Sequence, residues 1–337
     1  MNQERVVKAG LLGLGTVGSG VYKLVERQKN EMALKAGAGL EIQKILVHNI
    51  NKKREGVDQS LLTDKWEDIM NDDEIEIVIE VMGGIEPART MILEALHAGK
   101  NVVTANKDLV ATHGHELLEA AEESGVDFLF EAAVAGAIPI IRPLKQCLAA
   151  NEIQEVIGIV NGTTNYILTK MFELGMSFEE ALKLAQEKGF AEKDPTTDLE
   201  GYDMMRKIAI LSDIAWNTKI NIHDIKHSSF SLIHNYDMKK NHQTMKYVCE
   251  ALKDNNKIFI SVGLMELDNQ EVLCKINEED NGVIVETSLA DKLVFIGKGA
   301  GSLPTASAIV SDIYDIINQR VLDTYDNFNK YVINEVQ

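Results

Sequence analysis

Three glycines near the N-terminus have the spacing of a dinucleotide-binding turn. Segment 13–18 reads Gly-Leu-Gly-Thr-Val-Gly, follows the apolar run 6–12 and precedes apolar residues at helical spacing. In this context the first glycine permits a tight turn, the second lets the backbone approach a pyrophosphate, and the third lets helix and strand pack closely. The helix N-terminus then offers N–H donors and partial positive charge to an anion. We therefore predict that NAD or NADP binds here, through Gly13, Gly15, Thr16, Val17 and Gly18.

The residues after the second predicted strand bear on the choice between these two cofactors. NAD-specific sites usually carry a carboxylate at the end of that strand, but here the strand ends Leu-Val-His-Asn at 46–49. Lys52, Lys53 and Arg54 follow, and they could neutralise a 2′-phosphate, which favours NADP or the use of both cofactors. The alternative interpretation of 52–54 is a solvated basic loop. The alternative interpretation of 13–18 is a tight turn that binds no ligand.

Charge and composition exclude several classes of function. The chain has 337 residues, with 34 Lys+Arg, 52 Asp+Glu and a net charge of −18, which argues against a nucleic-acid partner because phosphate binding requires a basic surface. No stretch approaches the roughly 20 apolar residues of a membrane span, and the start lacks a secretory signal. Cys147, Cys249 and Cys274 form neither a disulfide framework nor a zinc motif, which favours a reducing compartment. We expect a cytoplasmic protein.

The elements that must position the glycine turn alternate between strand and helix over residues 1–150. Apolar runs predict the strands, and apolar residues at helical spacing predict the helices. The predicted strands are 6–12, 42–47, 75–82, 101–104 and 126–130, and the predicted helices are 16–28, 87–98 and 108–123. This alternation is typical of βαβ crossovers and a doubly wound parallel sheet. We therefore predict an α/β protein with a Rossmann nucleotide-binding domain at 1–150.

From residue 151 onward the pattern changes to that of an α+β domain. Helices are predicted at 166–174, at 178–188 behind a capping box, and at 199–216. Segment 235–256 is polar and predicts at most a helix. The predicted strands, in a series typical of an antiparallel sheet, are 152–160, 258–266, 272–276, 283–286 and 293–296. We assign 151–303 to this second domain and expect a last helix, 304–320, to pack back on the first.

Eight segments in chain order go beyond a generic dinucleotide-binding enzyme. They are 10–18 (GLLGLGTVG), 81–89 (VMGGIEPAR), 102–107 (VVTANK), 131–143 (EAAVAGAIPIIRP), 158–168 (GIVNGTTNYIL), 189–201 (GFAEKDPTTDLEG), 203–211 (DMMRKIAIL) and 299–307 (GAGSLPTAS). Together they resemble homoserine dehydrogenases from about residue 5 to 233 and again from about 293. The resemblance implies reversible, NAD(P)-dependent interconversion of L-homoserine and L-aspartate 4-semialdehyde, on the route to threonine, methionine and isoleucine.

The resemblance also implies which residues do the chemistry. Oxidising a primary alcohol removes a proton from oxygen while hydride leaves carbon, so the reaction needs a general acid/base. Lys207 corresponds to the family's acid/base lysine and Lys107 to a second active-site lysine, and two adjacent ammonium groups would lower each other's pKa. Asp203 and Lys207 are spaced i, i+4 on one helix face, for which an ordinary helix ion pair is the alternative. The residues implied to bind substrate are Glu192, Asp198, Asp203, Gly162, Thr163 and Thr164.

The two ends of the substrate would bind differently, and two further sites follow from the resemblance. The ammonium would meet the three carboxylates, and the substrate carboxylate would meet N–H groups at 162–164, where helix N-capping is the alternative.

The resemblance also implies that the cofactor contacts Gly83, Lys107, Gly299 and Gly301. A sodium ion would bind carbonyls of Glu131, Val134, Gly136 and Ile138.

The sequence also departs from the family pattern. Many relatives carry a C-terminal ACT-type regulatory domain for which this chain has no room, so we do not expect threonine feedback through one. Segment 235–290 fits the family poorly and looks shortened, which puts in doubt the sheet expected to form a homodimer. A dehydrogenase for another amino-acid alcohol or aldehyde, and a cofactor-binding paralogue without activity, are the alternatives.

Overall fold

The computed structural model describes residues 5–235 and 244–318, which form two six-stranded sheets flanked by helices. The first sheet comprises β1 (Val6–Leu12), β2 (Gly39–Leu46), β3 (Leu62–Thr63), β4 (Ile75–Glu80), β5 (Asn101–Thr104) and β6 (Phe128–Leu129). Its strands are parallel, in the order β3-β2-β1-β4-β5-β6. The predicted doubly wound sheet is confirmed, and its strand order reverses between β1 and β4, where such sheets bind ligands.

Helices cover both faces of this sheet. They are α1 (Thr16–Ala36), α2 (Glu67–Met70), α3 (Ala88–His97) and α4 (Lys107–Ser124). In β4, Ile77 and Ile79 pack in the apolar cluster that contains α1, whereas Val78 packs in the cluster that contains α3 and α4. A strand buried on both faces needs apolar residues at successive positions, which explains why β4 is a nearly continuous apolar run.

The second sheet is mixed and has helices on one face. Its strands are β7 (Ile153–Ile159), β8 (Lys226–His227), β9 (Thr244–Asp254), β10 (Lys257–Leu267), β11 (Asp280–Thr287) and β12 (Asp291–Lys298). They lie in the order β12-β11-β7-β9-β10-β8, antiparallel except for the β8–β10 pair. The helices are α5 (Gly162–Leu174), α6 (Phe178–Glu187), α7 (Thr196–Leu199) and α8 (Tyr202–Trp216). No helix within the described ranges is long and apolar enough to span a membrane.

The last described helix, α9 (Ser302–Asn318), packs on α1. The hydroxyl of Ser302 donates to Thr16 O at 2.7 Å, and a Cβ at Gly20 would lie 2.5 Å from Ser302 O. Glycine at position 20 therefore lets the two helices touch. Positions 319–320 of the expected helix lie outside the described residues, and the division into domains at 1–150 and 151–303 stays a prediction.

Three predicted elements in the second half are wrong in detail. Gly201, with φ +79°, separates α7 from α8 where one helix was predicted at 199–216. Segment 272–275 forms a 3₁₀ helix rather than a strand. Segment 244–254, predicted to be at most helical, is the strand β9, in which apolar residues that face the helices alternate with a more polar set that includes the buried Lys246. Residues 236–243 of that segment lie outside the described residues.

Candidate active site

The glycine turn leads into a helix whose first N–H groups have no side-chain cap. Gly13 has φ +98°, a left-handed value that favours glycine, and its N–H donates to Leu46 O at 3.0 Å. A Cβ at Gly18 would lie 2.2 Å from Gly13 O, so a larger residue there would force the backbone to move. Gly15 is the N-cap of α1, and the first turn of α1 carries neither a capping side chain nor a carboxylate. This helix terminus therefore keeps its donors for an anion.

A crevice of about 670 Å³ lies beside this turn. Its walls include Gly13, Gly15, His48, Arg54 and Trp66. Of the basic run, Arg54 lines the crevice, whereas Lys52 and Lys53 are exposed and do not line it. The guanidinium of Arg54 donates to Asn49 O at 3.0 Å and to Lys52 O at 2.9 Å, which fixes its position. Arg54 is therefore the member of the run placed to meet a 2′-phosphate.

A second cleft, of about 590 Å³, lies between the carboxyl edge of the first sheet and the elements of the second. Ala105 and Lys107 reach it from the end of β5, residues 161–163 from the start of α5, and residues 299–301 from the connection between β12 and α9. The predicted site residues that line it are Val17, Lys107, Gly136, Gly162, Thr163, Asp198, Asp203, Lys207, Gly299 and Gly301. The fold therefore joins the predicted substrate residues to the nicotinamide end of the predicted cofactor site.

A buried carboxylate in this cleft binds both lysines. Lys207 Nζ lies 2.8 Å from Asp203 Oδ2 and donates to Val160 O at 2.6 Å, and Lys107 Nζ lies 3.3 Å from Asp203 Oδ1. The side chain of Asp203 is 7% exposed and that of Lys207 is 12% exposed. Burial alone would raise the pKa of Asp203, but the charges of Lys207 and Lys107 outweigh burial and lower the pKa to about 2. The burial of Asp203 and its second partner, Lys107, distinguish this pair from an ordinary exposed helix ion pair.

Lys107 begins α4 at the end of β5, directly after Asn106, whose side chain caps the helix by accepting from Leu109 N. Burial lowers the pKa of Lys107, but the charges of Asp203 and Asp108 outweigh burial, so the pKa is raised. The expectation that the two lysines depress each other's pKa is thus wrong for Lys107. The reason is that Asp203 pairs with both ammonium groups and offsets their repulsion.

Asn161 connects the second carboxylate to this group, a role that sequence reasoning missed. Its Oδ1 caps α5 by accepting from Thr164 N at 2.9 Å, and its Nδ2 donates to Asp198 Oδ1 at 2.8 Å and to Asp203 Oδ2 at 3.0 Å. Thr163 donates to the other oxygen of Asp198 at 2.9 Å. Burial raises the pKa of Asp198, and the charge of Asp203 raises it further. The N-cap position before Gly162 was the available signal for Asn161.

Outside the glycine turn and the predicted sodium loop, three predicted site residues do not line the cleft. Glu192 is exposed, and its backbone carbonyl accepts from Gln186. Thr164 is completely buried, and both its N–H and its hydroxyl donate to Asn161 Oδ1. Gly83 has φ +78° and donates its N–H to the buried carboxylate of Glu80 at 3.2 Å. Thr164 therefore stabilises the start of α5, and Gly83 stabilises the loop after β4, and neither forms part of the cleft wall.

The predicted sodium residues lie in one tight loop after β6. Ala135 and Gly136 have φ values of +54° and +55°, and a Cβ at Gly136 would lie 2.5 Å from Gly299 O. The carboxylate of Glu131 is already used, because it accepts three backbone N–H groups at 2.6–2.8 Å from residues 140–142. Within the described ranges no cluster of His, Cys, Asp and Glu side chains could hold a metal. Only backbone carbonyls are left as ligands here, and the sodium ion stays a prediction.

A doubly wound sheet whose glycine turn opens an uncapped helix, beside a cleft with two lysines on one buried aspartate, defines a nicotinamide-dependent oxidoreductase. The turn has the geometry that dinucleotide binding requires, and the ion-paired lysines have the chemistry that proton transfer requires.

Comparison with known proteins identifies the family. Residues 13–131 match the NAD-binding domain of homoserine dehydrogenase, and residues 139–314 match the homoserine dehydrogenase family. The homoserine dehydrogenase of Bacillus subtilis is 42% identical over 96% of this chain and 76% of that protein, and that of Corynebacterium glutamicum is 43% identical over 94% and 73%. A crystal structure of a homoserine dehydrogenase from Thiobacillus denitrificans has a TM-score of 0.88 at 37% identity, covering 95% of this chain and 75% of that one. The chain belongs to the homoserine dehydrogenase family.

Membership confirms the resemblance and makes the chain an NAD(P)-dependent homoserine dehydrogenase, an oxidoreductase that acts on the CH–OH group of its donor. The family match runs through 235–290, and the structure places β9, β10 and β11 there. The doubt that this segment forms a sheet is therefore wrong, whereas its part in a homodimer stays a prediction.

Proposed function

We propose that the cleft interconverts L-homoserine and L-aspartate 4-semialdehyde, as a step of threonine, methionine and isoleucine biosynthesis. The observation that carries the proposal is Asp203, whose buried carboxylate contacts Lys207 and Lys107 on the wall of a cleft that also reaches Val17 and Gly301. The reaction requires a proton donor at the substrate oxygen next to a dinucleotide site, and this cleft offers both.

Lys207 is the general acid and base in this proposal. An ammonium has three protons, and two of those on Lys207 face Val160 O and Asp203 Oδ2, which leaves the third for the substrate oxygen. In aldehyde reduction Lys207 donates a proton to that oxygen, and in alcohol oxidation its amine takes the proton back. Lys107, protonated beside Asp203, stabilises negative charge that develops on the oxygen. The cofactor, when bound, supplies or accepts the hydride.

The charged ends of homoserine fit different parts of the cleft. Its ammonium lies beside Asp198 and Asp203, with Glu192 contributing from the exposed segment before α7. Its carboxylate accepts the N–H groups of Gly162 and Thr163 at the start of α5, where the helix dipole favours an anion. The N–H of Thr164 is excluded because Asn161 already accepts it.

The cofactor and assembly follow the same reasoning. The pyrophosphate binds at residues 13–18, a 2′-phosphate binds Arg54, which favours NADP or the use of both cofactors, and the nicotinamide lies beside Gly299, Gly301 and Lys107. Gly83 contributes through the loop after β4. A sodium ion binds carbonyls of Glu131, Val134, Gly136 and Ile138. The enzyme works as a cytoplasmic homodimer.

Substitution Lys207→Ala tests the proposal. We expect homoserine oxidation to fall by about 10³-fold, the usual contribution of a general acid/base, while the Kd of NADPH, measured by fluorescence, stays within about twofold of wild type. The matched control is Lys183→Ala, which removes an exposed lysine of α6 and keeps full activity. Near-wild-type activity in Lys207→Ala would rule out the proposed mechanism. Initial rates with NAD and NADP, with and without sodium, and with other hydroxy-amino acids test the cofactor, cation and substrate assignments.

A further inference from the structure

Asn281, in β11, has a side-chain amide that lacks partners among the described residues. The residue is 1% exposed and yet lines the 590 Å³ cleft. Its Oδ1 is buried without a hydrogen bond. Nearly all buried polar groups in proteins are paired, because an unpaired one has lost water and gained nothing in exchange. An unsatisfied amide on the wall of a ligand cleft therefore points to a group that the ligand supplies.

The packing around Asn281 places it on the cofactor side of the cleft. A Cβ at Gly299 would lie 1.9 Å from Asn281 Nδ2 and 2.4 Å from Oδ1, so the amide lies directly against the glycine backbone. The run 299–301 continues into α9, and Ser302 at its start donates to Thr16 O of α1. Asn281 thus lies against the segment that connects β12 to α9, and α9 contacts the helix that follows the dinucleotide turn.

The chemistry of the amide selects among the groups that enter this cleft. The carboxylate of homoserine has two lone-pair oxygens and would be repelled by Oδ1, and its ammonium already has the carboxylates of Asp198 and Asp203. A carboxamide offers one acceptor and one donor side by side, which is the complement of the asparagine amide. Because Oδ1 is buried, this pairing requires the amide to rotate about χ2, a torsion that is broad in asparagine.

We infer that Asn281 hydrogen-bonds to the carboxamide of the nicotinamide ring. Its Nδ2 donates to the carboxamide oxygen, and its Oδ1 accepts from one N–H of the carboxamide. The inference rests on the proposed function, which places the nicotinamide in this cleft. The pair fixes the rotation of the ring and so determines which face of it meets the substrate. Asn281 is therefore a further cofactor-binding and orienting residue.

Cofactor analogues separate this role from a structural one. The 3-acetylpyridine analogue of NAD(P) keeps the carbonyl oxygen but lacks the N–H, and calorimetry gives the Kd of each oxidised cofactor without turnover. We expect the wild type to bind the natural cofactor roughly tenfold more tightly, the effect of one hydrogen bond. Asn281→Leu removes both partners, so natural-cofactor binding weakens about tenfold or more and the preference disappears. Asn281→Asp keeps an acceptor but loses the donor, so the preference is kept or widens.

The control is Asn165→Leu, which removes another buried amide, one that donates to Asp280 O at 3.0 Å. It should lower the melting temperature and leave the preference between the two cofactors unchanged. If Asn281→Leu and Asn281→Asp weaken both cofactors equally and keep the wild-type preference, Asn281 has only a structural role and the inference is overturned. If Asn281→Leu fails to fold by circular dichroism, the smaller Asn281→Ala, which also removes both amide atoms, decides the question: a preference that disappears supports the inference, and a preference kept at the wild-type value overturns it.

The outcome is distinguishable from failure of the proposed function. A chain that does not oxidise homoserine, but whose cofactor preference responds to Asn281 as described, refutes the substrate and leaves the role of Asn281 standing. An active enzyme whose preference does not respond to Asn281→Leu refutes the role of Asn281 alone.

Discussion

At the scale of single residues, the site depends on side chains that spacing alone cannot rank. Lys107 and Lys207 each look like surface lysines, and only the i, i+4 spacing of Asp203 and Lys207 indicated a pair; the family resemblance singled both lysines out. Asn161 carried the signal of a helix cap and was passed over as a site residue. Asn281 carried none, because its burial follows from the pairing of β11 with β12, opposite Gly297, and that register is a tertiary property.

The charge of Asp203 sets the titration of Lys107, and we predict its effect on the pH profile. Asp203 raises the pKa of Lys107, so Asp203→Asn should lower that pKa and move the alkaline limb of homoserine oxidation to lower pH. The pH dependence of kcat/KM measures the shift. Asp108→Asn, which removes the weaker of the two carboxylates that act on Lys107, should shift the limb less. If kcat/KM of Asp203→Asn falls at every pH but its alkaline limb stays at the wild-type pH, this electrostatic role is contradicted.

At the scale of elements, regular periodicity was predictable and its interruptions were not. The central strands of the parallel sheet are mostly apolar, so the predicted bounds of β1, β4 and β5 lie close to those in the structure. In the second half, the strand β9 was not predicted, and it contains a buried lysine. Lys246 is 2% exposed, and its ammonium donates to Asn165 Oδ1 at 3.1 Å and to Asn277 Oδ1 at 2.9 Å. Lys246 lies on the face of β9 opposite Met245 and Tyr247, and its burial there is possible only because these tertiary acceptors pair its ammonium.

The glycine turn is an element whose geometry allows a sharp test. Gly18→Ala would place a Cβ 2.2 Å from Gly13 O, a backbone atom, so the turn must open and its N–H groups must move. We predict more than tenfold weaker cofactor binding and lower stability. Gly114→Ala in α4 is the matched control, because its Cβ would meet only Val110 Cγ1 at 3.4 Å, and alanine stabilises a helix by up to about 1 kcal/mol relative to glycine. Calorimetry and thermal unfolding measure both effects, and unchanged affinity in Gly18→Ala would refute a role for the turn in binding.

At the scale of the whole molecule, the second sheet has one face that α5–α8 do not cover and that the 3₁₀ segment 272–275 covers only in part. Phe259 and Ile296 are 54% and 55% exposed there, beside the half-exposed Leu252 and Val294, and strand register places all four on the face opposite the helices. Exposed apolar patches mark association sites, and continuity of this face across five strands suits a second copy of the sheet. The net charge of −18 opposes such self-association, so the carboxylates within the face decide its strength.

Glu155 is the carboxylate on which this balance depends. It lies in β7 on the open face, flanked by Glu250, Glu286 and Lys292. Burial, a hydrogen bond with Glu250 and the charge of Glu286 raise the pKa of Glu155 to about 7. A second sheet packed over Glu155 would desolvate it further and raise its pKa again, so the dimer binds more protons than two separate chains. By linkage, association must then strengthen as pH falls through the range near 7.

We therefore predict a homodimer through this face that is tighter at about pH 6 than at about pH 8, measured by sedimentation velocity against the 37.4 kDa of one chain. Glu155→Gln, neutral throughout this range, should dimerise at pH 8 nearly as tightly as the wild type does at pH 6, because the desolvated charge is gone. Phe259→Glu should give a monomer at both values. A dimer that tolerates Phe259→Glu places the interface elsewhere, and a wild-type dimer equally tight at both pH values shows that Glu155 does not change its protonation on association.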